Sequence, residues 1–528
     1  MLTRENLEDF KGALSAALRT TSGADAALSD RFVELRPGTM STLRSPSNHL
    51  LTGRRGVGKS TTLAVLQREA QEQGSWVIFV DVETHKSRSY PDVLIEIVLD
   101  ILGEISPRPR GITSARLRVR ISRLRKVLVA LRDAPPEVTE LRESEADKAR
   151  GARISLSAGI IRKLAKLSAG AGRSRATRSR TTQSSSQTRR KEDYLRDLAP
   201  ALARVLEEAA SAKEAGSLLL VLDDFYFIAK DEQPQVLDHL HGITKRSSVW
   251  LKIGSVGSRT QTFSDGDPPI GMQPPNDVQH LSLDVGLSDF LTAKAFLEEV
   301  GDGVLAPYEL RVRDIMTETA RERAVLIAGG AVARDYFDIL IGAADAGWEA
   351  AQKSPSAKAS FRISAEDIQS AAGRRLERKQ QDLRSDAGRD AAPLESRFAD
   401  VVKFARDRDT YFFLVRQTDL DSNWGREIIE LEDLRFVHRI VTTRPNTGTM
   451  RGVDTTVYMV DIPALVQTRM QKAPIEFWKP RRSDELRKGR WVYAPGWSAL
   501  ANRATADPAK PPRAVAEQLA IAPEVTED

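Results

Sequence analysis

The sequence predicts an α/β fold: a parallel sheet with helices on both faces, followed by a run of helices and then a smaller α+β segment. Three observations carry this expectation. Short apolar runs alternate with amphipathic helical stretches as far as Asp284, the pattern of a parallel sheet covered by helices. A glycine-rich turn joins the first of those runs to a helix. The most apolar run, Ser217 to Leu222, ends in two adjacent acids.

In chain order, Asn6 to Leu18 reads as an amphipathic helix, with a small-residue linker to residue 30. His49–Thr52 reads as a strand entering the glycine turn, and the helix after it carries Leu63, Leu66 and Ala70 on one face. Trp76–Val82 (WVIFVDV) has the composition of a buried parallel strand, and Ser89–Leu102 that of a helix. A helix over Tyr194–Ala210 leads to the strand at Ser217, and further strands are expected at Ser248–Ile253 and Gln279–Asp284. Residues 288–351 show helical periodicity without strands. Helix Glu395–Arg406, strand Tyr411–Val415, helix Trp424–Leu434 and a hairpin Phe436–Thr443/Thr455–Val460 suggest a winged-helix-like arrangement. The expected divisions are 1–30, 31–287 with a basic insert at 105–192, 288–352, 353–470, and a basic-aromatic extension with a loose tail at 471–528.

Composition narrows the chemistry. With no cysteine among 528 residues, a disulfide scaffold, a thiol nucleophile and a cysteine-ligated zinc site are excluded. His239 and His241 fall two apart in a helical stretch, so they do not share a face to hold a metal. The opening MLTRENLEDF lacks an apolar signal core, and no run approaches the roughly 18 apolar residues of a membrane span, so a cytoplasmic protein without membrane contact is expected.

Charge is unevenly placed. The net charge is +6, yet 23 basic and 6 acidic residues fall between Ser106 and Lys191, a local +17. The remainder holds 56 basic and 67 acidic residues, or −11. This is an acidic body carrying one basic insert, and 170–187 has the Arg/Ser-rich composition of a disordered tract. Such a segment suits a nucleic-acid backbone through counterion release. It equally suits a solvated linker, or pairing with acidic surfaces of the same oligomer.

The sharpest motif is Gly53-Arg54-Arg55-Gly56-Val57-Gly58-Lys59-Ser60, followed by Thr61, a full match to GxxxxGK[ST]. Glycines let backbone N–H groups close around phosphate oxygens, Lys59 would neutralise the β/γ-phosphates, and Ser60 would ligate Mg²⁺. The helix that follows directs its positive end at the anion. The acids after the apolar run are Asp223, expected to face Mg²⁺, and Asp224, expected to polarise the attacking water. Together these predict a P-loop NTPase sheet that takes ATP and Mg²⁺, with an α-helical lid and a winged-helix-like α+β domain after it. The strand Trp76–Val82 is expected between the two motif strands.

From about Asp30 to Asp345 the chain resembles AAA+/STAND-type P-loop ATPases, specifically the initiator-like group that includes archaeal origin-recognition proteins. The resemblance implies a polar first sensor at Ser255 in VWLKIGS, with Arg259 shortly after as a candidate arginine finger in trans. Ile327-Ala-Gly329-Gly330-Ala-Val-Ala-Arg334-Asp335 is similar to the lid motif whose arginine reaches the γ-phosphate; Ala333 stands where the family usually has proline. A solvent-facing helix cap is the plain alternative for Arg334, and a turn residue that for Ser255. Many relatives carry glutamate where Asp224 stands, and the shorter acid suits a slow switch.

The resemblance also implies a winged helix that grips DNA, but the helix in the recognition position (REIIELED, Arg426–Asp433) is acidic and would be repelled by phosphate. Docking onto protein or packing on the lid suits it better. The wing turn RPNTGTMRG would present Arg444 and Arg451, and Trp478 to Trp491 is a basic-aromatic stretch fit to stack on bases or to pack on the winged helix. Two functions stay open: an ATP-driven switch that assembles on nucleic acid, and a prokaryotic defence or regulatory signalling ATPase that oligomerises and recruits a separate effector protein. A homo-oligomer is expected in both.

Overall fold

The computed structural model describes residues 1–18, 32–105, 112–135, 137–140, 187–212, 216–353, 360–373, 376, 379, 381, 391–447, 450–466, 470, 474–479 and 482–497. All but the last residue of the tract expected to be disordered lies outside them, as does 498–528. The chain forms two compact units: a sheet unit of Thr21–Gly53 and Lys59–Leu283, and a second unit of Met1–Thr20, Arg54–Gly58 and Asp284–Asp528. The chain opens with β1 (Leu2–Thr3) and α1 (Arg4–Leu18), which belong to the second unit.

The sheet unit is built on β2 (His49–Thr52), β3 (Trp76–Asp81), β6 (Leu218–Asp223), β7 (Val249–Ser255) and β8 (Gln279–Ser282). Its helices are α2 (Lys59–Glu72), α3 (Asp92–Ile105), α4 (Ile112–Arg132), α5 (Lys191–Ser211) and α6 (Gln233–Thr244). The strands form one sheet in the order β8–β2–β7–β6–β3, every neighbouring pair parallel. This corrects one expectation: β7, not Trp76–Val82, separates the two motif strands, and β3 takes the edge beside β6. Hydropathy reports that a strand is buried; it does not report which neighbour the strand pairs with.

The first part of the basic insert is built into the core. Leu117, Ile121, Leu124, Val127, Leu128 and Leu131 recur at helical spacing along α4 and are buried with α3 and α5. The opposite face exposes Arg116, Arg118, Arg120, Arg123, Arg125 and Lys126, and no acid occurs between Ile112 and Arg132. Two antiparallel strands, β4 (Glu137–Glu140) and β5 (Gln187–Arg190), then close a neck that brings residues 140 and 187 opposite each other. Lys191, only 3% exposed, fastens its base, donating to Asp92 Oδ1 at 2.8 Å and to the Arg132 carbonyl at 3.0 Å.

Two histidines of this unit are held neutral. Burial and then the adjacent Lys252 ammonium depress His49 to about 4, and burial depresses His239 to about 4. Lys252 is itself pushed down to about 7 by burial. The unfolded chain takes up these protons near pH 6.5 and the folded chain does not until about pH 4. Stability should therefore fall as pH drops through that window, by up to about 3 kcal/mol per histidine. Thermal melts between pH 7 and 4 check this: His239→Leu should flatten the dependence, and an unchanged slope would refute the assignment.

In the second unit, β1 pairs antiparallel with β9 (Ser360–Phe361), α1 packs on α7 (Phe290–Leu305) and α9 (Ala333–Lys353), and α8 (Glu318–Ala328) packs on both of these helices. Lys11 meets Asp345 at 2.7 Å across the α1–α9 contact. After α10 (Ala365–Gly373), the winged-helix-like segment comprises α11 (Ala391–Asp407), β10 (Phe412–Arg416), α12 (Asn423–Asp433), β11 (Val437–Thr443) and β12 (Thr455–Val460). Its three strands are antiparallel in the order β10–β12–β11. A short 3₁₀ turn, Gln417–Asp421, precedes α12 and abuts it at Gly425, where a Cβ would lie 2.0 Å from the Asp419 carbonyl oxygen. Only glycine fits there.

Several groups expected to be available on this segment have internal partners. Arg444 is exposed at the wing, where it forms a two-point pair with Asp454 at 2.6 and 3.0 Å, and Arg451 is exposed as well. The turn itself is braced by Asn446 N–H donating to the Arg487 carbonyl and Thr447 to that of Lys488. Trp478 stacks on Phe290 with centroids 4.1 Å apart and donates to Glu322 at 3.2 Å. Leu414 N–H donates to the Trp491 carbonyl, and Tyr493 N–H returns to the Leu414 carbonyl, so residues 491–493 cover the β10 edge. Both tryptophans are half-buried with an internal aromatic partner, Phe290 for Trp478 and Phe412 for Trp491. On α12, Glu427 pairs with Arg397 and Glu432 with Arg439. No helix among the described residues is long and apolar enough to cross a membrane.

Candidate nucleotide-binding site

The glycine loop divides between the two units: Gly53 and Lys59–Thr61 belong to the sheet unit, Arg54–Gly58 to the second. In the sheet unit, β2 ends at Thr52 and α2 starts at Lys59, so the lysine and Ser60 occupy a helix N-terminus whose first N–H groups have no intrahelical acceptor. Lys59 is 5% exposed, and its ammonium donates to the Gly53 carbonyl at 2.8 Å. Gly53 N–H in turn donates to the Ser255 carbonyl at 3.3 Å.

Asp223 closes β6 in register with Asp81 at the end of β3. It is 5% exposed, hydrogen-bonded to the Ser60 hydroxyl, and accepts the Asp224 N–H at 2.9 Å on Oδ1. Burial raises its carboxyl above the usual range, while Ser60, the Asp224 N–H and the Lys59 charge pull it down. Ser60 and Asp223 are hard oxygen donors suited to Mg²⁺, which keeps waters and substrate phosphates as its other ligands. No cluster of three or more His, Asp or Glu side chains able to hold a metal occurs among the described residues.

Asp224 has φ 53° and ψ 38°, the left-handed region, and leads into the 3₁₀ turn Phe225–Phe227. Aspartate and asparagine enter that region several-fold more readily than other side chains. The backbone here favours the short acid over glutamate. Ser255, at the end of β7, is 0% exposed and its hydroxyl bonds Thr260 at 2.6 Å. Arg259 is half-buried on the turn that follows, and its carbonyl accepts from Gln233 at 2.9 Å.

One residue of this half went unmarked in the sequence. Gly254 lies beside Asp223, and a Cβ there would stand 2.6 Å from Asp223 Oδ1 and 2.8 Å from Leu63 Cδ1. A glycine inside an otherwise apolar strand was the available signal. Gly254→Ala should displace the Asp223 carboxylate and weaken Mg²⁺ dependence roughly tenfold while the sheet stays folded. Titrating Mg²⁺ against nucleotide affinity measures it; an unshifted curve would remove Gly254 from the site.

In the second unit, Gly56 and Gly58 adopt φ 81° and 103°, open to glycine. Arg334 is exposed at the start of α9, and its N–H approaches the Gly56 carbonyl at 3.4 Å. A Cβ on Gly56 would lie 2.9 Å from Arg334 Cβ, so loop and α9 touch through glycine. The adjacent Asp335 pairs with Arg435. Arg54 is buried, whereas Arg55 and Val57 continue the loop, half-buried and buried respectively.

No family model matches the chain, and no curated protein matches it. Among solved structures it is similar to the Aeropyrum pernix ORC1 protein in complex with DNA, at 15% identity and TM-score 0.34, covering 87% of this chain and 97% of that one. It is also similar to a Walker-type ATPase of Pyrococcus abyssi, at 12% identity and TM-score 0.37, covering 84% of this chain and 95% of that one.

Proposed function

We propose that this chain is a Mg²⁺-dependent ATP-binding switch that hydrolyses ATP slowly and assembles on nucleic acid in the cytoplasm. The observation that carries the reading is the convergence of Lys59, Ser60 and Asp223 at the start of α2, with the Ser60 hydroxyl on the Asp223 carboxylate. Bound Mg²⁺–ATP would supply the phosphoryl group and the charge that Lys59 neutralises. Lys59 would leave the Gly53 carbonyl to meet the β/γ-phosphates, and Ser60 and Asp223 would hold the metal. Asp224 would orient and polarise the attacking water. Ser255, Arg334 and, in trans, Arg259 are the candidate groups that read the terminal phosphate.

Nucleic-acid contact is best supported at α4. Among the described residues Arg116, Arg118, Arg123, Arg125 and Lys126 form no ion pair, whereas Arg120 is paired with Glu208. Neutralising phosphates with such a face gives binding that falls steeply with salt. Replacing Arg118, Arg123 and Arg125 together by Glu should weaken binding to mixed-sequence duplex about tenfold or more and reduce the salt slope. Unchanged affinity and slope would sink this role.

A second reading, a defence or regulatory ATPase that oligomerises and recruits an effector protein, is favoured by one observation. Glu427 and Glu432 of α12 and Trp478 beyond it are held by internal partners, which suits a packing or docking segment rather than a DNA reader. Sedimentation with and without Mg²⁺–ATP, in the presence and absence of duplex, separates the two. ATP-driven assembly without duplex supports the second reading, and assembly only on duplex supports the first.

A further inference from the structure

Arg54, the second residue of the glycine loop, is spent on the segment that precedes and includes the lid. It is 6% exposed. Its backbone N–H and its Nε both donate to Asp284 Oδ1, at 2.9 and 3.2 Å. Its Nη1 donates to the Gly329 carbonyl at 3.0 Å and its Nη2 to the Val285 carbonyl at 3.4 Å. Gly329, at φ 75°, is the C-terminal cap of α8, so the guanidinium sits at a helix end that favours a cation.

The receiving turn has no slack. Gly330 has φ 109°, and a Cβ there would lie 2.4 Å from the Val285 carbonyl oxygen and 2.8 Å from Gly286 Cα. On its other side Gly329 is backed by the His438 ring, 2.4 Å from where a Cβ would stand. Ala331 N–H closes the turn onto the Val285 carbonyl at 2.9 Å. Two residues further along the glycine loop, Gly56 meets Val332 and Arg334. Residues 54–58 and 329–334 are thus joined at both ends, by Arg54 at one and by Gly56 at the other.

We propose that Arg54 is a positioning residue that transmits occupancy of the glycine loop to the Gly329–Arg334 turn, independently of the groups that touch phosphate. This rests on the ATP-binding reading. Closing the loop around an anion must rotate the peptides of 54–58. Because Arg54 holds Asp284 by backbone and side chain alike, that rotation displaces the Gly329 carbonyl and, with it, the start of the helix bearing Arg334.

The test is hydrogen–deuterium exchange on the full chain, with and without saturating Mg²⁺–ADP or a non-hydrolysable Mg²⁺–ATP analogue. In the wild type, nucleotide should slow exchange at residues 56–60 and also change it at 327–335. In Arg54→Met, at nucleotide concentrations that saturate the variant, the second response should shrink roughly fivefold or more relative to the first. Arg54→Lys, which reaches one carbonyl but cannot span Asp284 and Gly329 together, should recover only part of it. Asp284→Asn removes the charge from outside the glycine loop and should give a partial loss even where Arg54→Met binds nucleotide poorly. A full response at 327–335 in either Arg54→Met or Asp284→Asn overturns the coupling. A wild type that protects 56–60 without any change at 327–335 also overturns it and leaves ATP binding intact. A wild type with no response anywhere overturns the ATP reading itself.

Discussion

Lys59→Ala is expected to lower nucleotide affinity by at least about a hundredfold, the loss of more than one charge-assisted hydrogen bond to phosphate. The lysine is buried, begins α2 and donates to the Gly53 carbonyl, so its side chain is already folded over the loop. Alanine removes the charge and preserves helix propensity, which keeps the effect in binding rather than in folding. Titration with a fluorescent nucleotide, alongside circular dichroism to confirm the fold, measures it. Wild-type affinity in Lys59→Ala would mean that the loop does not hold a triphosphate.

The second large effect is expected at Asp224. Asp224→Asn should bind ATP within about twofold of wild type and lose turnover by roughly 10²-fold or more, the range for removing a general base. The left-handed backbone makes this a clean substitution. At φ 53° asparagine is as well tolerated as aspartate, so the change removes the charge without moving the chain. Asp224→Glu should be the harsher change for the fold, since a longer side chain enters that region reluctantly. Phosphate release under single-turnover conditions reads the first effect and thermal melting the second. Normal hydrolysis by Asp224→Asn would reassign the water-positioning role to another acid.

Much of the sheet unit was legible in advance because its signals are local. The strand His49–Thr52 has the predicted ends, and the helix after the glycines begins at the motif lysine. Leu63, Leu66 and Ala70 are buried together as their spacing required. The hairpin of the winged-helix-like segment was placed within a residue, since alternation and a turn of Pro, Asn and Gly mark it. The helix expected from Ser89 begins at Asp92, directly after Pro91.

Other features depend on partners far away in the chain. Basic composition concealed that α4 buries an apolar stripe, because one helix can carry a core face and a cationic face at once. Trp478 and Trp491 look like base-stacking groups in the sequence, and the fold sets them against Phe290 and Phe412. Arg444 is exposed on the wing as its turn predicts, but Asp454 pairs with it there. In each case the residue type stated a capacity and the fold chose the occupant.

The sequence by itself determined that this chain has an acidic α/β body with one basic segment, a glycine loop ending in Lys59-Ser60, and an apolar strand ending in Asp223-Asp224. Those features follow from hydropathy, glycine content and the order of charges, which act over a few residues. The tertiary structure decided that β7 lies between the motif strands and that Gly254 makes room for Asp223. It also decided that Arg54 belongs to Asp284 and Gly329 rather than to solvent. Pairing order, steric clearance and ion-pair choice are set by groups hundreds of residues apart, whose proximity is a property of packing and not of any local stretch of chain.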